Sequence, residues 1–269
     1  GKQEGLSFLN SDMVSSINFS AGGFEARYGD KMSSVLDIRY EQPNEFEGNV
    51  DMSLLGGALH LQDVSDNGKF SYNTGFRYKS NSYLLNSLDV DADYRPRFYD
   101  LQTFLTYRFN DDLNLNFLGN YNLNRYRFVP HTRETSFGTV QNSLNLNIYY
   151  EGQEIDKFEN YTGALSLNYY PSSDLSLKFT GSTFRTSEEE TYDILGQYYL
   201  NELDKSTDSD TYGDSIMNIG VGGFLEHARN LLDGNVYSFS HNGSWVNDLH
   251  NFRWGMKLNH KIFEDQVNE

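Results

Sequence analysis

The chain has 269 residues, with 21 Lys and Arg against 38 Asp and Glu, a formal net charge of −17 and no cysteine. The acidic balance argues against a nucleic-acid-binding protein, whose affinity depends on cations that meet phosphates, and the missing cysteines exclude disulfides, thiolate zinc sites and thiol nucleophiles. Since 20 Tyr and 19 Phe also exclude a disordered chain, the aromatic, Gly-rich and Pro-poor composition predicts a β-protein.

Residues 1–44 have a pattern of their own. A strand-like run leads to Gly22-Gly23, then to Ala26-Arg27-Tyr28-Gly29, and then to a second strand-like run that covers 33–38 and ends before Pro43. The glycines permit a positive φ or a close approach of the backbone. Because no Gly-Lys-Ser or Gly-Lys-Thr follows them, they do not predict a phosphate-binding loop.

From residue 45 onwards, the alternation of apolar and polar residues predicts β-strands. In the clearest run, Leu113, Leu115 and Phe117 alternate with Asn114 and Asn116, so one face of the sheet is apolar and the other is rich in amides. No stretch approaches the roughly 18 consecutive apolar residues of a membrane-spanning helix, which excludes a helical membrane protein. The predicted strands are 45–55, 58–64, 69–80, 99–109, 113–128, 158–170, 175–186, 234–246 and 250–263.

The connections between the predicted strands alternate in length. Some are tight polar turns of Asn, Asp, Ser and Gly, at 65–69, 110–112, 172–174 and 246–250. Between them lie long polar segments that we expect to be loops, at 80–99, 129–158 and 186–230. Short turns at one rim and long loops at the other are typical of outer-membrane β-barrels.

Two architectures fit this pattern, a soluble β-sandwich and a membrane barrel, and three features favour the barrel. The apolar runs extend to about 9–11 residues, the length that a tilted strand needs to cross a bilayer. Aromatic residues such as Phe109 and Trp245 cluster beside the tight turns, where an interfacial girdle would lie. The polar faces also carry cations that suit a water-filled lumen, namely Arg77, Arg108, Arg125, Lys178, Arg253 and Lys257.

The stretch from Gly22 to Pro43 resembles the end of the plug domain of TonB-dependent receptors, the active transporters of the bacterial outer membrane. In that family, a turn before an Ala-x-Tyr-Gly element leads into a final plug strand and then into the first barrel strand, which is the order found here. The overall texture resembles the Bacteroidetes members, with His227-Ala228-Arg229-Asn230 ahead of a strand and Trp254-Gly255 inside one. The Thr-Thr-Lys-Lys-Gly plug ending of the starch-utilisation branch is missing.

This resemblance implies an all-β chain in two parts. Residues 1–44 correspond to the C-terminal part of a plug domain, and residues 45–269 to the N-terminal part of a transmembrane antiparallel β-barrel. About nine strands are predicted of the about 22 that enclose a plugged lumen in such transporters. Because nine strands cannot close around a plug, we expect a fragment or a mature piece of a longer protein, with the remaining strands elsewhere.

The resemblance also implies active transport of a solute (a nutrient, glycan, peptide or metal chelate) across the bacterial outer membrane, energised by TonB acting on the plug. The partners expected on this basis are the TonB energy-coupling complex, outer-membrane lipid and a surface lipoprotein, although the missing plug ending leaves the lipoprotein open. Two alternatives belong to other classes: a passive or structural barrel component of a larger assembly, and a soluble β-rich carbohydrate-binding module.

The sequence contains no recognisable catalytic arrangement, so we expect neither an enzyme nor a cofactor. The six histidines lack the His-Glu-x-x-His spacing, and a Gly-x-Ser-x-Gly elbow is missing. The carboxylates of 188–190 lie in a predicted exposed loop and are interpreted as a solvated charge run.

An Asp-x-Asp-x-Asp run at Asp89, Asp91 and Asp93 offers oxygen ligands of the kind that Ca²⁺ prefers. Tyr94 replaces the glycine that an EF-hand loop needs, and Asp100 takes the place of the final glutamate, so an EF-hand is not predicted. A loose Ca²⁺ site in an extracellular loop and a plain acidic loop are the two interpretations. The same choice applies to Asp204, Asp208, Asp210 and Asp214.

Ligand contacts in the family that this chain resembles come from long loops, the lumen and the tip of the plug. Aromatic side chains with arginines among them suit sugar stacking, peptide capture or recognition of chelated metals, and they equally suit packing among loops. The candidate ligand-binding residues are Tyr94, Arg97, Phe98, Tyr99, His131, Arg133, Tyr192, Tyr198 and Tyr199.

Overall fold

The computed structural model describes residues 9–25, 28–29, 33–86, 92–139 and 142–268. Within these ranges the chain forms a 3-10 turn at Ser11–Met13, the short helix α1 at Ser82–Asn86, and a series of strands. None of the helices in these ranges has the length and apolar character needed to cross a membrane. The strands are β1 (Val14–Ala21), β2 (Ser34–Tyr40), β3 (Glu47–Ser53), β4 (Gly56–Val64), β5 (Phe70–Lys79), β6 (Ala92–Tyr94), β7 (Arg97–Asn110), β8 (Leu113–Pro130), β9 (Arg133–Thr139), β10 (Asn142–Ser172), β11 (Leu175–Leu203), β12 (Ser215–Val246) and β13 (Asn251–Asn268).

One antiparallel sheet takes up most of the chain. Its strands follow the order β3-β4-β5-β7-β8-β10-β11-β12-β13, while β6 pairs with the end of β8 and β9 with the start of β10. Strands β1 and β2 form a separate two-stranded sheet. The all-β prediction is therefore confirmed, and each of the nine predicted strands overlaps one strand of this path.

Three strands are far longer than predicted. Strands β10, β11 and β12 have 31, 29 and 32 residues, and they run through most of 142–158, 186–203 and 215–230. The loops predicted there were wrong, because strand pairing depends on backbone hydrogen bonds, whereas apolar alternation disappears wherever both faces of a strand meet water. The acidic run 188–190 accordingly lies inside β11.

The two faces of the large sheet have opposite polarity. Paired residues on neighbouring strands share a face. The described residues between 9 and 42 are called the docked segment, and the face that they contact is called the polar face. On it, Asn73 and Gln102 are 0% exposed, whereas Leu165 and Trp254 on the other, apolar face are 49% and 41% exposed. Within the described ranges, no second sheet covers the apolar face.

On β7 and β10 the apolar residues of this face form a belt that is nine residues long. The belt runs between Tyr107 and Tyr99 on β7, and between Tyr169 and Tyr161 on β10. Eight steps of about 3.3 Å span about 26 Å along a strand. At the tilt of about 40° that strands adopt in barrels in general, this length corresponds to a height of about 20 Å. Beyond the tyrosines at 99 and 161, charged residues replace apolar ones on the same face.

Aromatic rings gather where the belt meets the tight turns. The rings of Tyr107 and Phe109 meet edge to face, with centroids 4.9 Å apart, and Trp245 stacks on Phe252 at 5.8 Å. Offset and edge-to-face contacts of this kind add to the stability gained from burial of the rings. The expected clustering of Phe109 and Trp245 beside the turns is thus present.

Of the cations that the sequence predicts for a water-filled lumen, Arg125 lies on the apolar face instead of the polar face. Arg77 and Arg253 contact the docked segment and belong to the polar face, but Arg125 pairs across the strands with Arg97 and Lys157. This row lies on the apolar face, just beyond the belt. The sequence assigned Arg125 to the polar face because, past the end of the belt, both faces carry polar residues and polarity no longer distinguishes them.

The part of β10 that lies beyond the belt, called its upper part, has a backbone conformation that depends on a glycine. Gly152 has a φ of +103°, and a Cβ at this position would overlap the carbonyl oxygen of Asp193 on β11. We expect Gly152→Ala to lower the free energy of unfolding of this part of the hairpin by about 2 kcal/mol, the usual cost of a strained backbone conformation. Backbone hydrogen exchange over 142–155 and 190–203 measures the effect.

The matched control is Gly163→Ala on the same strand. A Cβ at Gly163 would lie 3.6 Å from the Thr183 methyl group, an ordinary contact. Its effect should stay within about 0.5 kcal/mol. Equal protection of the upper hairpin in the two variants would show that Gly152 has no such role.

Candidate functional site: the polar face and the docked segment

The N-terminal segment lies on the polar face of β5 and β7. Met13, at the end of the 3-10 turn, is fully buried against β5. Gly75 makes this close approach possible, since a Cβ there would overlap the Asn10 side-chain amide and lie 3.0 Å from the Met13 sulfur. Because Gly75 has no side chain, the large sheet, called the wall from here on, leaves room for the segment at this position.

Asn73 holds both strands of the N-terminal hairpin. Its Nδ2 group donates to the backbone carbonyls of Met13, at 3.3 Å, and Glu41, at 3.2 Å. Its Oδ1 atom lies 2.9 Å from His60 Nε2. Because the amide nitrogen serves the two carbonyls, the oxygen accepts from His60, which assigns the proton of the imidazole to Nε2. One buried asparagine thus links two wall strands to the start of β1 and the end of β2.

An ion pair reaches from the wall to the same segment. The Arg77 guanidinium donates to Asp100 Oδ2 from Nε and Nη2, at 3.0 and 2.7 Å, and from Nη1 to the Leu9 carbonyl at 2.9 Å. Asp100 is 1% exposed. Gln102 and Asn120 also donate to it. A buried ion pair is stable only when its other polar atoms are satisfied as well, and this network meets that requirement.

Further contacts tie the rest of the segment to the wall. Tyr40 stacks on Phe104 with ring centroids 5.3 Å apart, and its hydroxyl donates to Gln102 at 3.4 Å. Burial raises the pKa of Tyr40, and the Asp100 carboxylate adds to that shift, so the hydroxyl keeps its proton and remains a donor. At the β13 edge of the sheet, Arg253 donates to Glu25 at 2.7 Å.

The amide row continues across the sheet from this network. Asn122 donates to Asn120 Oδ1 at 3.2 Å, and Asn160 donates to Asn122 Oδ1 at 2.9 Å. Side-chain amides offer both donors and acceptors. The polar face can therefore exchange hydrogen bonds with water or with a polar solute.

Strand alternation separates the first four candidate ligand residues. Tyr94 and Phe98 lie on the polar face, where Tyr94 contacts Phe128 and the Arg77 guanidinium lies 5.7 Å from the centre of the Phe98 ring. Arg97 and Tyr99 lie on the apolar face, because they alternate with Phe98 along β7. Phe98 is buried, so it packs within the wall.

Two further candidates lie close to the end of β8 and on β9. His131 Nε2 lies 3.2 Å from Asp93 Oδ1, which brings a ligand candidate next to a calcium candidate. Arg133 is exposed at the start of β9.

The remaining candidates lie on the upper part of β11. Tyr199 meets Tyr149 edge to face with centroids 5.7 Å apart, and the ring of Tyr198 covers Gly222. The Tyr192 carbonyl accepts from Arg229 at 3.2 Å. The structure thus distributes the nine candidates over two faces and several strands, and it does not bring them together in one site.

Asp193 is at the centre of a charged cluster above the belt. It forms an ion pair with Arg229 and a hydrogen bond with His227, both of β12. The hydrogen bond from Arg229, followed by that from His227, lowers the pKa of Asp193. This cluster includes two residues of the His227-Ala228-Arg229-Asn230 stretch and links β11 to β12 far from the belt.

Of the three aspartates proposed as Ca²⁺ ligands, the structure describes one. Asp89 and Asp91 lie outside the described residues, while Asp93 is 3.3 Å from Arg95 as well as near His131. In the part of the chain that the structure describes, no group of three or more His, Asp or Glu side chains could hold a metal ion. The Ca²⁺ interpretation stays a prediction for the undescribed residues.

The wall residues that hold the docked segment were missed by sequence reasoning. Asn73 and Gln102 occupy ordinary alternating positions, and no local signal separates them from neighbouring polar residues. The exception is Gly75, because a glycine inside a strand often marks a close approach of another backbone.

No protein-family model matches this chain, and no curated protein matches it either.

The loop between β11 and β12 should respond to acid. Asp204 accepts from the Ser206 amide at 2.9 Å and from the Thr211 hydroxyl at 2.8 Å, and these bonds, the backbone one first, lower the pKa of Asp204 to about 2. A lowered pKa stabilises the loop above about pH 4, and that contribution is lost as the pH falls towards 2. Hydrogen exchange at the Ser206 amide, corrected for intrinsic rates, should show protection that fades over this range.

Asp204→Asn is the control, because its side chain does not titrate. Its Ser206 protection should not change between pH 5 and pH 2. Wild-type protection that persists to pH 1.5 would contradict the assignment.

Proposed function

We propose that this chain is a section of a TonB-dependent outer-membrane transporter, in which residues 9–42 belong to the plug and the large sheet is part of the barrel wall. The observation that carries the proposal is the inverted polarity of the sheet. Amides and an ion pair are buried beneath the docked segment, while leucine and aromatic side chains of the belt are exposed. In a water-soluble protein such a large apolar surface is rarely left uncovered.

The dimensions of the belt support the proposed membrane location. A height of about 20 Å, bordered by aromatic rings, approaches the apolar band of about 25 Å in outer-membrane barrels. Every strand of the path between β3 and β13 pairs with a neighbour on both sides, as hydrocarbon demands. The two outermost strands, β3 and β13, are exposed along their whole length, which fits a wall that continues with further strands.

The docked segment supports the proposed plug. Tyr28 of the Ala-x-Tyr-Gly element donates to Asp37 on β2 at 3.0 Å, so the element folds back onto the strand that follows it; Ala26 and Arg27 lie outside the described residues. The segment lies on the polar face, the side that forms the lumen in a closed barrel. Its polar contacts replace water, so the segment can leave the wall if water or solute takes over those hydrogen bonds.

In this proposal the solute binds from outside to the long hairpins and the tip of the plug, and TonB then pulls on the plug to open a path along the amides of the polar face. The lipid partner meets the belt, and the site of action is the bacterial outer membrane. A passive barrel component shares the wall but lacks a plug that moves. A soluble carbohydrate-binding module would need its apolar face covered, which the described residues do not provide.

The membrane orientation can be tested with two neighbouring single-cysteine variants, since the chain has no cysteine of its own. Leu165→Cys lies on the apolar face at the middle of the belt, and Ser166→Cys on the polar face. In outer-membrane vesicles we expect a water-soluble maleimide to label position 166 at least tenfold faster than position 165, because hydrocarbon excludes the reagent. Equal labelling at both positions would contradict the membrane location.

Transport can be tested through Met13, which is fully buried between segment and wall. In cells that express the full chain, Met13→Cys should react with a water-soluble maleimide several-fold faster when the cells are energised than after a protonophore is added. Leu54→Cys, exposed in the β3–β4 turn, is the control and should react at the same rate in both conditions. Identical rates at position 13 would favour the passive barrel.

A further inference from the structure

A row of cations crosses three neighbouring strands just beyond the belt. Arg97 on β7 pairs directly with Arg125 on β8, and Arg125 pairs directly with Lys157 on β10. All three lie on the apolar face. In a chain of net charge −17, this concentration of positive charge on one part of one face requires a physical reason.

Like charges at directly opposed positions destabilise a sheet, and the protein itself does not compensate all of them. Lys157 is paired with Glu159 at 2.9 Å. Arg97 and Arg125 form no ion pair or side-chain hydrogen bond within the described ranges, and both are exposed. These two neighbouring guanidinium groups therefore suggest a binding site for an anion from outside the protein.

The nearby carboxylates are already occupied or lie at the edge of the row. Glu159 accepts from the Tyr121 and Tyr161 hydroxyls, each at 2.9 Å, in addition to Lys157. Glu189 pairs across the strands with Lys157. Asp233 lies 3.9 Å from Arg185 on the next strands. None of these three carboxylates lies directly opposite Arg97 or Arg125 in the strand pairing, so the two guanidinium groups stay available.

The row lies at the depth of lipid headgroups if the belt lies in a membrane. Arg97 is two residues beyond Tyr99 on the same face, or about 7 Å along the strand. Directly below the arginines, an open groove of about 350 Å³ is lined by five side chains of the apolar face together with Asp100. The five are Phe76, Tyr99, Leu101, Tyr121 and Leu123.

We propose that Arg97 and Arg125 bind the phosphate of an anionic lipid headgroup, with an acyl chain of the same lipid in the groove below them. This inference rests on the proposed function, because it requires the belt to lie in a bilayer. The planar guanidinium groups suit a phosphate, which they bind through paired hydrogen bonds. The groove makes a lipid the occupant rather than free phosphate, since free phosphate gains nothing from an apolar groove.

The experiment compares the wild-type chain with the variant Arg97→Gln/Arg125→Gln. Each is reconstituted into nanodiscs of equal parts phosphatidylcholine and phosphatidylglycerol, extracted with mild detergent, and analysed by native mass spectrometry for retained lipid. The wild-type chain should retain phosphatidylglycerol in preference to phosphatidylcholine. Because each interfacial arginine changes the affinity for anionic lipid about fivefold, the variant should lose most of this preference.

The matched control, Lys257→Gln/Lys261→Gln, removes two charges from the polar face of β13 and should keep the wild-type preference. Equal retention by wild type and the arginine variant would overturn the inference, as would the same loss in the lysine control. Displacement of the lipid by 10 mM inorganic phosphate would overturn the lipid assignment in favour of a free phosphate site. Failure of the wild-type chain to enter nanodiscs would overturn the proposed function as well, whereas entry without lipid preference overturns this inference alone.

Discussion

The structure depends on a constraint that comes from the backbone itself: successive side chains of a strand point to opposite faces of the sheet. In this chain the two faces meet different surroundings. The docked segment covers amides and an ion pair on the polar face, while leucine and aromatic side chains stand uncovered on the other. A shift of one residue in any strand would exchange these groups. The continuous pairing of β10 with both β8 and β11 excludes such a shift over the belt.

On the polar face, the docked segment supplies hydrogen-bond partners for the polar side chains of the wall that it buries. Asn73, Arg77 and Gln102 would be satisfied by water on an open wall, and burial beneath the segment removes that water. Hydrogen bonds with the segment replace those with water. They involve the carbonyls of Leu9, Met13 and Glu41 and the hydroxyl of Tyr40. Because protein–water bonds are exchanged for protein–protein bonds of similar strength, these contacts fix the geometry of docking at a small net gain in free energy, as the proposed movement of a plug would require.

Cations on the two faces have different roles. On the polar face, Arg77 of β5 and Arg253 of the edge strand β13 both contact the docked segment, so their positive charge holds protein against protein. Arg97 and Arg125 stand beyond the belt, and among the described residues neither of them forms an ion pair. The polarity of a strand position therefore says little about its role until the face and the height along the strand are known.

The sequence by itself determined the all-β class, the nine principal strands, the tight turns and the polarity of the two faces within the belt, because all of these follow from local alternation and turn residues. It did not determine the length of β10 to β12, since paired strands above the belt need no apolar pattern, nor the face of Arg125. Only the tertiary structure decided which polar residues hold the N-terminal segment. Asn73 and Glu41 are 32 residues apart, and Arg253 and Glu25 are 228 apart. Contacts at such separations depend on which strands of the sheet lie against the segment, which no local pattern encodes.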